Sequence, residues 1–155
     1  MSKIKIRNTI NHSVILSVED LRLRREILPN QVINIDSDKF EEAMTYTGVK
    51  NLFKYGYLRV EGASEEVIDA MEDAGLNDEE IQGFLSMDEL VKLFEEGSVE
   101  EVKNVLAGCP QERHNSILEA MDQTKNLEFS KVKAVRDLLG LDYIKYKNQK
   151  DDLMG

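Results

Sequence analysis

The residues best equipped for chemistry are Cys109 and His114. A thiol becomes a nucleophile when a nearby base takes its proton. Cys109 lies between Gly108 and Pro110, five residues before His114, and Glu112 or Glu119 could orient the imidazole. That set would suit a small hydrolase. The same residues also read as a small side chain at a helix junction and a surface histidine. The second reading is favoured, because free cysteine packs as a small hydrophobe.

Other chemistries lack their residues. One cysteine and two histidines cannot fill a four-ligand zinc site without carboxylates. The acidic run Asp73 to Glu80 hints at calcium, but Asp78 stands at the sixth loop position, where glycine makes the turn. Phe84 stands where the bidentate glutamate belongs. The nine glycines are scattered and mostly follow predicted helices, so no phosphate cradle is expected. Paired carboxylates are plentiful, but they catalyse only where a cleft drives their pKa values apart, and no pattern here predicts one. The expectation is a protein that is not an enzyme and needs no cofactor or metal.

Arg22, Arg24 and Arg25 form the densest basic cluster and are the candidate partner contact. Leu21-Arg22-Leu23-Arg24 alternates, so Arg22 and Arg24 are expected on one face of a strand opposite the two leucines. Such cations either guard an edge strand against stray pairing or bind an acidic surface. Nucleic acid is the weaker partner: stacking aromatics are not interleaved with the cations, and the net charge is −10.

The charge is unevenly placed. Residues 1–62 hold 10 basic and 8 acidic side chains, whereas residues 64–101 hold 14 acidic ones against Lys92 alone. This belt repels phosphate backbones. It reads as solvated helix faces or, alternatively, as a docking surface for a basic partner. A single cysteine, no long apolar run and no apolar leader after Met1 lead us to expect synthesis in a reducing cytoplasm, with no membrane span.

The elements that must carry these residues follow from periodicity. Ile4 and Ile6 alternate with cations, then Val14, Leu16 and Val18 share a face, Leu21-Arg22-Leu23-Arg24 alternates again, and Ile27 and Leu28 continue the apolar content. Leu28-Pro29-Asn30-Gln31 reads as a turn leading to a return strand at Val32–Ile35. A four-strand antiparallel unit is expected, with helical turns inserted at 36–55, capped at Asp36-Ser37-Asp38. A fifth strand at Tyr57–Val60 would close the sheet.

From Gly62 onward the period is helical. Ser64, Asn77, Ser86, Ser98 and Ser130 are placed as caps, and several glycines stand where the helices should stop. Links between Leu85 and Gly140 faintly suggest stacked hairpins without a fixed repeat. The predicted class is α+β. A β-rich module spans 1–62, and a bundle of five to seven short helices spans 63–155, ending in a polar tail from Lys147 to Gly155.

Several segments together resemble small proteins encoded by tailed bacteriophages and prophages. They are Ile6-Arg7-Asn8-Thr9, Asn11-His12-Ser13-Val14 and Leu21-Arg22-Leu23-Arg24-Arg25, followed by Phe40-Glu41-Glu42-Ala43-Met44 and Gly48-Val49-Lys50-Asn51-Leu52-Phe53. Tyr57-Leu58 and, more weakly, Leu138-Leu139-Gly140-Leu141-Asp142 extend it, whereas Ser64 to Leu85 departs from it. Proteins of this kind are uncharacterised or virion-associated. The resemblance implies a non-enzymatic structural or assembly component of a phage virion, at the capsid, neck or tail. Its partners would be other virion proteins or copies of itself. The alternative is an intracellular phage adaptor or regulator that binds a host or phage protein, with nucleic acid nearby.

Overall fold

The structure, a computed structural model, describes residues 2–154. Met1 and Gly155, which end the leader and tail readings, lie outside the described residues. The chain divides into two compact units, one ending at Ser86 and the other starting at Met87. The α+β class is as expected, with strands confined to the first unit. The division, however, falls after Ser86 and not after Gly62.

The first unit holds β1 (Lys3–Asn8), β2 (Val14–Val18), β3 (Leu23–Ile27), β4 (Val32–Asp36) and β5 (Leu58–Glu61). Its helices are α1 (Ser37–Ala43), α2 (Thr47–Lys54), α3 (Glu65–Asp73) and α4 (Asp78–Gln82). The strands do not form one sheet. A three-stranded antiparallel sheet runs in the order β4-β1-β5, and β2 pairs with β3 as a separate hairpin.

Asn8 explains the separation. It is wholly buried, and its Nδ2 donates to the His12 carbonyl at 2.8 Å and the Ile27 carbonyl at 2.9 Å. Its Oδ1 accepts from the Ile10 amide at 2.9 Å. One amide side chain thus ties the turn after β1 to the end of β3, where a ladder would otherwise continue. Thr9 is equally buried, its hydroxyl donating to the Tyr57 carbonyl at 3.1 Å.

β1 is the central strand. Asn8 bonds Gln31 and Ser37 bonds Ser2 across the β4 side, while Thr9 bonds Tyr57 across the β5 side. Antiparallel pairs alternate in this way, so even-numbered amides of β1 face β4 and odd-numbered ones face β5. Ile4, Ile6, Ile33, Ile35, Leu58 and Val60 turn inward. They meet Phe40 of α1, Met44 just after it, and Val49 and Phe53 of α2, with the two phenyl rings edge to face at 5.7 Å.

Val67, Met71, Leu76 and Ile81 belong to the same core. This is why α3 and α4 belong to the first unit, although their acidic composition separates them from the strands. The Ser64 hydroxyl caps α3 by accepting from the Val67 amide, and Asn77 with Glu80 makes a reciprocal capping box on α4. At the end of α4, Gly83 has φ +82°, and a Cβ there would stand 2.6 Å from Arg59 Cγ, so only glycine fits.

The second unit holds α5 (Met87–Glu96), α6 (Val99–Leu106), α7 (His114–Gln123), α8 (Phe129–Leu139) and α9 (Tyr143–Met154). α5 packs on α7, and α6 packs on α8. Leu90, Phe94, Val102, Leu106, Ile117 and Met121 are almost wholly buried. The expected polar tail is helical instead, as α9 packs on α7. Tyr143 Oη donates to Asp122 Oδ1 at 3.3 Å, and Lys150 pairs with the same carboxylate.

Two helix starts differ from expectation. α8 begins one residue before Ser130, with Glu128 as its N-cap residue. Asp36 sits at the start of α1 but makes no side-chain cap; its carboxylate pairs with Lys3 at 2.8 Å.

Candidate partner-contact surface

The hairpin β2–β3 carries the arginine cluster and sends its members three ways. Val14, Leu16 and Val18 of β2 point into the core, so Ile15 and Ser17 point out. Leu23 and Ile27 are the buried ends of β3. Arg24 lies opposite Ser17 on the outer face, and Glu26 lies opposite Ile15. Ile15 is 47% exposed there, an apolar side chain within reach of one cation and one acid.

Arg22 is not on the strand. A 3-10 turn over Glu19–Leu21 ends at Arg22, whose φ of 51° is left-handed and whose amide bonds the Glu19 carbonyl. The expected shared face of Arg22 and Arg24 is therefore incorrect. The alternating leucines misled, because the leucine at 21 closes a turn and only the one at 23 starts the strand.

Arg25 has the parity of the core-facing residues, opposite Leu16. It escapes burial by reaching over to β4, where Nη1 donates to the Asn34 carbonyl at 3.3 Å. That carbonyl faces away from β1, given the pairing alternation. Arg25 therefore ties the hairpin to the edge of the three-stranded sheet, and Arg22 and Arg24 are the members available to a partner.

The acidic belt is placed in both units. In the first, Glu66, Asp69 and Asp73 of α3 line an open groove of about 630 Å³, together with Glu41 and Lys50. Among the described residues no group of three or more histidine, cysteine or carboxylate side chains could hold a metal ion. No helix is long and apolar enough to cross a membrane, again among the described residues.

The nucleophile pair does not assemble. The Cys109 thiol donates to the Pro110 carbonyl at 3.4 Å, and among the described residues no hydrogen bond joins it to His114. Burial pushes the thiol up from its ordinary 9.0 to about 11, against a smaller opposing effect of the nearby Arg113 charge. At neutral pH it is a protonated, weakly nucleophilic group.

Two buried cations of the second unit were not singled out by the sequence pattern. Arg113 is wholly buried, and its Nε donates to Ser116 Oγ at 3.1 Å. Lys131 is buried too, with Nζ donating to the Phe94 carbonyl near the end of α5 at 2.7 Å, and Glu128 3.7 Å away. A cation at a helix C-terminus satisfies carbonyls that have no partner within the helix. Lys131 falls at an apolar phase of α8, beside Ala134 and Val135, and that phase is the signal that marks it.

Comparison of the chain with models of known protein families, with curated proteins and with solved structures finds no match.

Proposed function

We propose that this chain is a non-enzymatic structural or assembly component of a tailed-phage virion, acting through protein–protein contacts. The observation that carries the contact reading is the outer face of the β2–β3 hairpin. It sets exposed Ile15 beside Arg24, with Arg22 at the corner, on a two-stranded sheet. An apolar side chain ringed by charge is a common anchor for a partner surface. The phage setting is supported by the sequence resemblance. The protonated Cys109 and its lack of a hydrogen-bonded base support the non-enzymatic reading.

Gradient-purified particles from the phage or lysogen encoding the chain provide the test. Quantitative mass spectrometry should find a fixed copy number relative to the major shell protein. R22E/R24E should lower that number, whereas wild-type occupancy in the double variant would leave these arginines as edge guards only. Absence from particles, with abundance in infected cells, would overturn the virion reading and favour the intracellular adaptor.

A further inference from the structure

In the second unit α5 packs on α7, α7 on α9, and α6 on α8. α8 buries Lys131, Ala134 and Val135 and turns an exposed flank away from them. With 3.6 residues per turn, Phe129, Lys133 and Arg136 fall on one stripe at i, i+4 and i+7. That stripe lies about 180° around the helix from the buried Lys131, Ala134 and Val135.

Phe129 is 67% exposed, more than any other exposed large hydrophobic residue of the described chain, and so contributes little to the fold. Lys133 is exposed beside it, and Arg136 is more than half exposed, with Asp137 3.6 Å away as a surface neighbour. Such a surface pair is weak and open to competition from a better-placed carboxylate. An aromatic anchor followed by two cations along one helix suits a helix with an apolar ridge and acidic flanks.

Among the described residues the chain's own helices do not offer that partner. α5 and α6 are acidic, but their large apolar residues Leu90, Phe94, Val102 and Leu106 are buried. Among the described residues α9 exposes Lys145 and Lys147, which the cationic stripe would repel. We propose that the Phe129–Lys133–Arg136 stripe of α8 is a docking site for an acidic amphipathic helix of another protein.

The test uses the full chain and two synthetic helical peptides of about 18 residues, long enough to hold a helix. Both carry leucine at i, i+3, i+4 and i+7; one has glutamate and the other lysine at the flanking positions. Amide chemical shifts of the protein are followed on titration. The glutamate peptide should bind and move resonances of α8. F129A should weaken it at least about tenfold, as expected when an interface anchor is truncated. K133E/R136E should reverse the preference toward the lysine peptide. These positions are exposed, and an unchanged spectrum of each free variant establishes that it folds. No binding of the glutamate peptide, equal binding of both peptides, or shifts centred away from α8 would overturn the proposal. So would a dimer of the free protein in sedimentation that F129A abolishes, since the occupant would then be a second copy.

Discussion

Cys109 shows how environment decides the chemistry of a single side chain. Between Gly108 and Pro110 it is half-buried, and its proton is held by the cost of desolvating a thiolate. Native protein should therefore resist iodoacetamide at pH 7 and react readily only as the pH nears 11, whereas urea-unfolded chain reacts at the ordinary thiol rate. Rapid labelling of the folded chain at pH 7 would sink this account. The stability linkage has the same origin. A thiol raised from 9.0 to about 11 leaves stability intact below 9, with a loss as pH rises through 11. The three arginines carry a parallel lesson: adjacent residues of one type have become a turn corner, an outward contact and a tether between strands.

At the scale of elements, the register of β1 against β5 places Arg7 directly opposite Arg59. Like charges in that position are destabilising. Glu61 resolves it, accepting from Arg59 Nη2 at 2.9 Å and pairing with Arg7. Burial raises the Glu61 carboxyl, but the hydrogen bonds and charges of Arg59 and Arg7 outweigh it and hold the group below its ordinary 4.5. A lowered pKa adds stability above 4.5 that is lost as pH falls through the folded value. E61Q should thus cost about 1–2 kcal/mol at pH 7 and show a flatter acid limb in urea titrations between pH 5 and pH 2. Equal acid sensitivity in wild type and variant would contradict it.

Elements with strong local signals were legible in the sequence. Ser64, Asn77 and Ser98 cap the helices expected of them, and the Pro29-Asn30 turn forms with Asn30 at φ 63°. What escaped depends on distant partners. Nothing local to Asn8 tells that its amide will meet Ile27, so two sheets looked like one. The α9 segment has little helical periodicity, and its anchors are single side chains converging on Asp122. Of the candidate contact, the cluster was legible, whereas its division among three environments and the anchor at Ile15 required the turn at Arg22. Phe129 was invisible as a feature because it lies outside the apolar phase of its helix.

For the whole molecule, the consequential difference is the division at Ser86. A fragment of residues 1–86 should fold alone, with dispersed amide resonances matching those of the full chain. A fragment ending at Gly62 should not, because it removes Val67, Met71, Leu76 and Ile81 from the core, about 1.5–3 kcal/mol each. A well-dispersed spectrum from the shorter fragment would show that the compositional break is the true boundary.

The central position of β1 bears on synthesis. Domains fold from the N-terminus as the ribosome extends them. β1 is translated before β4 and β5, and it must wait for both before its two sides are paired. Meanwhile the nascent strand presents a naked edge to every neighbouring polysome product. Lys3, Lys5 and Arg7 alternate along it, and cations so spaced disfavour cross-β pairing of an open strand until Glu61 emerges and the sheet closes.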